Sequence, residues 1–466
     1  MLRLLWIWPI LASTVLFGCS LKASPPQQAP QVANSHWSSH YRQGTFADHH
    51  FEQALPAPLQ NLLKEAFQNN PNLQQSGYAL DQQLYQIQIQ QAQQWPNIEA
   101  FISGQRSGTD AASNAQFKLG LNFNWEIDWL AKLDARQQAA ILDAKVSFEQ
   151  WQQAQISLAA TTAKQWYSLI EAQMQLALVN QRYENLGANL QIIQENYQSG
   201  LNSALDVYLA RADLSAAQVQ QNNRQQQLLK AQRQLELLLG RYPSGSIKVQ
   251  GELAEALPAM PAGLPSELLL RRHDLKAAQY QLAAADLRVY AAYRDRFPSL
   301  KLTASGGSQS PQLQQLVNGE SLIWSLFAGL TAPIFDAGQR KNIQLQQYAK
   351  AQALNQSYLE KILNSFAEVE NSLSLEPSLY QSAQLLAAAA EDSMQAETLA
   401  FEGYLAGLNE YVTVLESQRR AFDARSSAIS ALNSQLQNRI ELYLALGGDL
   451  NHSQTRRQTF SSDDLR

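Results

Sequence analysis

Cysteine is nearly missing from this chain: 466 residues carry one, Cys19, so an internal disulfide is excluded. Charge is scarce too. Asp, Glu, Lys and Arg make up 16% of the residues, against about 25% in an ordinary soluble domain, and glutamine and alanine fill their place. A polar but weakly charged surface suits a helical assembly with water on some faces and packed neighbours on others. A basic excess is absent as well. The net charge of −5 and pI of about 5.8 exclude the positive stripe that nucleic acid requires. No nucleophile–base pair, zinc motif or Gly-rich phosphate loop stands out, so the chain is read as no enzyme, with no cofactor and no metal site. The apolar run from Leu4 to Phe17 is shorter than the roughly 20 residues of a membrane-spanning helix.

That run follows Arg3 and ends at Gly18-Cys19, the order of a signal peptide over residues 1–18. Leu16-Phe17-Gly18-Cys19 resembles the bacterial lipobox, in which the cysteine becomes the acylated N-terminus. Ser20, rather than aspartate, follows it, which points to the outer membrane. Residues 19–58, with the stretch SPPQQAPQ and little periodicity, read as a lipid-anchored tether. Its four histidines (His36, His40, His49 and His50) lack the spacing and company of metal ligands.

From Ala57 the pattern is helical, with Leu59, Leu62, Leu63, Ala66 and Phe67 on one face. Asn70-Pro71 breaks it, and a second helix runs to Trp95-Pro96. The stretch after it reads as a strand, a loop over Gly104–Gln116, and a longer strand. Phe117, Leu119, Leu121, Phe123 and Trp125 alternate with Lys118, Gly120, Asn122, Asn124 and Glu126. Such a strand matches the roughly 9–11 residues that cross a bilayer at a tilt. Asp128 starts a turn, and from Lys132 a helix continues to Ser199, about 100 Å at 1.5 Å per residue. Ala159, Ala163, Trp166, Ile170, Met174 and Ala177 mark its heptad-like seam. Gly200-Leu201-Asn202 turns the chain, and a second long helix returns from Ala204 to Leu239.

Residues 241–263, with Pro243, Gly245, Gly251, Pro258 and Pro261, form a linker. The pattern then repeats. Pro96 and Pro298 lie 202 residues apart, Asp128 and Asp336 lie 208 apart, and Gly200 and Gly407 lie 207 apart. Ordered landmarks at nearly constant offset indicate an internal duplication. Repeat 1 covers 59–240, with a β-hairpin at 95–127 and a helical hairpin at 132–239. Repeat 2 covers 264–450, with the counterparts at 297–335 and 338–446. In repeat 2, Glu376-Pro377-Ser378 is expected to break the first long helix, and Gly306-Gly307 is expected in a loop. Residues 451–466 are polar and expected to be disordered.

Two hairpins give four amphipathic strands. A soluble four-stranded sheet packed on a helix is the plain reading, but the helices are far longer than such a sheet could cover. In a bilayer the strands must close into a barrel, and four strands are too few. Two copies would supply eight strands and three would supply twelve; a lumen favours twelve.

Asn70-Pro71-Asn72-Leu73, Trp95-Pro96-Asn97-Ile98, the Asp128 turn, and Tyr197-Gln198-Ser199-Gly200 together resemble the TolC-like outer-membrane efflux family. So do Arg271 to Leu275, Phe297 to Leu300, Pro333-Ile334-Phe335-Asp336-Ala337-Gly338-Gln339-Arg340, and Gly407 to Arg420 in the second copy. With the lipobox, the chain is similar to the lipoprotein branch serving resistance-nodulation-division (RND) pumps, the OprM/NodT type. His273 stands where the family has proline, and Trp129-Leu130-Ala131-Lys132 replaces a glycine-containing turn.

The resemblance implies an α+β membrane protein: a homotrimer whose twelve-stranded barrel in outer-membrane lipid continues as a twelve-helix periplasmic tunnel. It implies a passive exit duct for small molecules, with a periplasmic adaptor (membrane fusion) protein and an inner-membrane RND transporter as partners. The helix-turn-helix tips would carry the adaptor contacts, at Ser199, Gly200, Leu201 and Asn202 and at Gly407, Leu408 and Asn409. The family's constricting acid maps onto Glu416. Val412 and Thr413 share its face, and Arg419 at i+3 offers a salt-bridged latch. Without the resemblance, these charges read as a solvated helix face. A type I protein-secretion duct and a structural coiled-coil envelope lipoprotein are the alternative functions.

Overall fold

The computed structural model describes residues 37–38, 55–109, 112–201, 203–251, 253, 265–317 and 322–448. The signal peptide, Cys19, nearly all of the tether with its histidines, Asn202, most of the linker's second half and the C-terminal tail lie outside the described residues.

The chain runs α1 (Ala57–Asn69), α2 (Pro71–Ala92), β1 (Asn97–Thr109), β2 (Ala112–Ile127), α3 (Lys132–Gln198) and α4 (Ala204–Leu238). It then repeats as α5 (Pro265–Arg271), α6 (His273–Arg294), β3 (Ser299–Ser310), β4 (Leu322–Thr331), α7 (Gln339–Leu405) and α8 (Tyr411–Ala445). The duplication is metrical: α3 and α7 are each 67 residues, and α4 and α8 are each 35. Among the described residues no helix is long and apolar enough to cross a membrane.

The duplication extends to single contacts. Asn70 caps α2 by accepting from the Leu73 amide, and its Nδ2 donates to the Leu238 carbonyl at 2.9 Å. Arg272 occupies the same place before α6 and donates to the Ala445 carbonyl at 3.3 Å. Each repeat thus fastens its short helix to the end of its returning helix.

The main core surrounds Trp166 and Tyr167 on α3, with Leu59 and Leu63 of α1, Leu235 of α4, and Leu436, Ile440 and Tyr443 of α8. The expected seam holds through Ala159, Ala163, Trp166 and Ile170, which are buried, but Ala177 is exposed and Leu178 and Val179 are buried instead. A straight helix of 3.6 residues per turn drifts away from a 3.5-residue repeat, which carries the stripe onward. Ile247 and Leu253 of the linker also enter this core. The linker is positioned by buried Glu236, whose carboxylate accepts from the amides of Gly245, Ser246 and Ile247 at 2.6, 2.8 and 3.0 Å and from Ser244 Oγ at 3.1 Å. Burial pushes its pKa upward, but these donors outweigh burial and hold it below the ordinary carboxylate range. Its stabilising effect is therefore complete at neutral pH and is lost as pH falls through the lowered pKa. Glu236→Gln is expected to cost about 1.5–3 kcal/mol at pH 7. Limited proteolysis should then cut residues 241–251 faster in the variant than in the parent, and the difference should close in acid.

Pro377 does not break the helix of repeat 2: α7 is continuous through it. An internal proline removes a ladder hydrogen bond and costs about 3 kcal/mol. Here α8 braces the affected turn. Asn438 Nδ2 donates to the Ser372 carbonyl at 3.1 Å and to Glu376 Oε2 at 3.0 Å, and Arg439 Nε donates to Glu376 Oε1 at 2.6 Å.

The four strands form one antiparallel sheet in the order β1-β2-β3-β4, with β2–β3 joining the two repeats. Gly104–Gln116 is not a loop: Gly104 pairs with Phe117 and Thr109 with Ala112, so the strands continue to residues 109 and 112. Gly306 and Gly307 likewise lie within β3, opposite Leu121 and Gly120. Small polar and glycine residues carry no burial periodicity, so the sequence there reads as a turn although the ladder continues.

The register aligns the apolar residues of all four strands. Ile98 pairs with Phe123, Trp125 with Leu302, and Leu300 with Leu330, so they share one face with Ile102, Leu119, Leu121, Trp324 and Leu326. Glu126, Lys301, Asn124, Thr303 and Ser305 occupy the other face, together with Phe101, Ile323 and Phe327. The apolar face is bare: Ile102 is 69% exposed and Trp324 is 82% exposed. The strands pack on one another and on the short turn Leu313–Val317, and among the described residues no long helix packs along the sheet. The sheet is therefore not packed on a helix of its own chain among the described residues, and an exposed apolar face of this extent marks a membrane or protein interface.

Candidate functional site at the helical tips

The strand-to-helix joints aim the long helices. Asp128 accepts from the amides of Lys132 and Asp134, both at 2.8 Å, and Asp336 accepts from those of Gly338 and Arg340 at 3.0 and 3.2 Å. Ala131 takes the left-handed conformation, at φ 54°, that glycine would adopt without strain. Asp295 ties the joints together through Lys132 at 3.4 Å and Arg340 at 3.3 Å.

At the far ends, Gly200 and Gly407 have φ of 75° and 72°, and the next residue closes each turn. The Leu201 amide donates to the Asn196 carbonyl, and the Leu408 amide to the Gly403 carbonyl, both at 2.8 Å. The first tip continues into a capping box in which Ser203 and Asp206 each accept the other's backbone N–H. The second has no such box; Glu410, which precedes α8, makes no side-chain cap. Ser199, Gly200 and Leu201 are exposed in one turn, and Gly407, Leu408 and Asn409 in the other. Beneath them Ile193, Val207, Tyr411 and Val414 form a buried cluster that packs the two hairpins together.

Val412 and Thr413 are exposed on the first turn of α8, opposite buried Tyr411 and Val414, and Glu416 follows one turn later. Glu416 is clamped twice. Arg420 Nε donates to Oε1 at 2.7 Å, and Arg419 donates from Nε and Nη2 at 2.7–3.1 Å. The hydrogen bonds from Arg420 and then Arg419 hold the Glu416 carboxyl below its usual range, so it stays ionised at neutral pH. The structure thus brings Arg419 to Glu416 as expected and adds Arg420, whose i+4 spacing from Glu416 was the available signal. A second feature had no local signal: Arg182 on α3 stacks on Phe422 of α8, 240 residues later in the chain. Among the described residues no cluster of His, Cys, Asp and Glu could hold a metal.

Residues 62–241 and 264–448 match the family described as outer membrane efflux protein, one match per repeat. The solvent efflux pump outer membrane protein SrpC of Pseudomonas putida is 29% identical, covering 96% of this chain and 98% of that protein. The probable outer membrane lipoprotein SilC of Salmonella typhimurium is 27% identical, covering 93% and 96%. Among solved structures, a membrane protein from Pseudomonas aeruginosa superposes with a TM-score of 0.84 at 27% identity, covering 91% of this chain and 99% of that one. The bare apolar sheet face, the duplicated helical hairpins and these matches converge: the chain belongs to the outer membrane efflux protein family and is an outer-membrane efflux channel, not an enzyme.

Proposed function

We propose that three copies close the sheet into a twelve-stranded barrel whose lumen continues between the long helices as an exit duct for small molecules. The observation that carries this reading is the sheet itself, in which β1 and β4 are edges with no further strand among the described residues, beside an exposed apolar face. Backbone groups at a sheet edge in lipid must find partners, which further copies supply. Twelve strands leave a lumen, whereas eight are filled by their own side chains. Cys19 is the proposed lipid anchor after removal of residues 1–18, followed by the tether to residue 58, repeat 1 (59–240), the linker, and repeat 2 (264–450). SrpC and SilC support a small-molecule pump and a lipoprotein relative, respectively.

The constriction is proposed at Val412, Thr413, Glu416 and Arg419. Threefold symmetry would make Glu416 a ring of three carboxylates, the cation-favouring element of the constriction, with Arg419 and Arg420 offsetting its charge while they remain paired to it. The exposed apolar tips, Leu201 at 76% and Leu408 at 80% exposure, are proposed to receive a periplasmic adaptor that links the duct to an inner-membrane RND transporter. Full-length protein extracted in detergent should run as a heat-sensitive species of three times the chain mass and form pores in planar bilayers. A poreless monomer would favour the structural coiled-coil lipoprotein.

A further inference from the structure

The two helical hairpins are joined along α3 and α8 by a ladder of side-chain contacts. It starts with Lys164–Glu441 at 2.5 Å, and continues through Glu171, which accepts from Ser430 Oγ at 2.7 Å and Asn433 Nδ2 at 2.6 Å. Gln175 follows, donating to the Ser426 carbonyl at 2.9 Å, and then Arg425 donates to Gln181 at 3.1 Å. The rung nearest the tips differs in kind. The Arg182 guanidinium lies 4.5 Å from the centre of the Phe422 ring, and its Nη1 donates to Gln220 of α4 at 3.3 Å. Phe422 is 8% exposed and packs on Leu178 and Val179. A cavity of about 30 Å³ adjoins the pair, lined also by Glu397 of α7 and Gln418 of α8. Beyond this rung the hairpins meet through the apolar cluster of Ile193, Val207, Tyr411 and Val414.

We propose that the Arg182–Phe422 stack is a second latch that holds α8, and with it Glu416, against α3 in the closed channel. The inference rests on the constriction proposed above. Phe422 lies six residues from Glu416 on the same helix, about 9 Å along its axis. A cation held on a ring face gains energy within about 6 Å of the centroid and loses it as the helices part. Burial lowers the Arg182 pKa, and the acids that oppose this, Asp213, Asp423 and Glu397, act at longer range. The half-buried guanidinium is held by the ring and by Gln220. Contacts higher on the ladder are hydrogen bonds to side chains or carbonyls that water can replace when the helices separate. When the helices part here, water can rehydrate the Arg182 guanidinium but not the buried Phe422 ring, so separation at this rung also exposes apolar surface.

The test uses full-length protein in planar bilayers. Phe422→Leu keeps the site apolar but deletes the ring, and should raise the open-to-closed ratio roughly two- to thirty-fold for each of the three latches released on opening. Phe422→Trp, which keeps a ring face, should leave the ratio at or below the parent value. In a double-mutant cycle with Arg182→Met, the Phe422→Leu effect should largely disappear. A parent-like Phe422→Leu, a Phe422→Trp as open as Phe422→Leu, or additive effects in the cycle would overturn the latch. Failure of the parent protein to form pores would instead remove the channel reading on which the latch depends.

Discussion

Replacing Glu416 and Arg419 together by alanine is expected to raise single-channel conductance several-fold with little change in ion preference, since one acid and one base leave together. Glu416 bonds to both Arg419 and Arg420, on the turn of α8 that follows Val412 and Thr413. The paired groups fill space and fix a carboxylate whose ionised state the two arginines favour. Removing the acid and one arginine takes away the bulk of the constriction and one charge of each sign, so the passage widens while its net charge stays the same. Arg419→Ala alone should do much less, because Arg420 still holds Glu416. Bilayer recordings in asymmetric salt report conductance and reversal potential together. An unchanged closed state in the double variant would place the constriction elsewhere along the duct.

The second large effect concerns the sheet seam between the repeats. A Cβ on Gly307 would lie 2.2 Å from the Leu119 carbonyl oxygen and 2.6 Å from Gly120 Cα, while one on Gly120 would lie 2.6 Å from the Gly306 oxygen. These neighbours are backbone, so the strands themselves would have to move apart. Gly306 next door has nothing within 4 Å of its would-be Cβ. Gly307→Ala should therefore destabilise by about 1–3 kcal/mol, the usual cost of overpacking, and Gly307→Val by more. Gly306→Ala is expected to be neutral. Heat-modifiability on gels, followed by the β signal in circular dichroism, should show Gly307→Val failing to give the heat-sensitive oligomer. Equal behaviour of Gly306→Ala and Gly307→Ala would mean that β2 and β3 do not approach so closely.

Both predictions draw on features that were unequally visible in the chain. Glu416 was legible through the family resemblance, and Arg419 as its partner because i+3 spacing on a helix is local. Arg420 was equally local and was missed. The Gly120–Gly307 approach and the Arg182–Phe422 stack were not legible, since each joins residues more than 180 positions apart that only folding brings together. Gly306 and Gly307 looked like turn residues because glycine loosens a local pattern. In the sheet they are held by partners on β2 that the local pattern does not contain.

By itself the sequence determined the two-fold repeat, the alternation of the strands, the length of α3, and the points where the long helices turn. Each of these is a short-range matter: side-chain period, proline and glycine geometry, and the caps offered by Asn70, Asp128, Ser203 and Asp336. Tertiary structure decided how far the strands run, whether α7 survives Pro377, and which helices face each other beside Glu416. Those outcomes depend on partners from distant segments. The ladder continues past residue 104 because β2 supplies hydrogen bonds, and α7 stays whole because Asn438 and Arg439 brace the turn at Glu376.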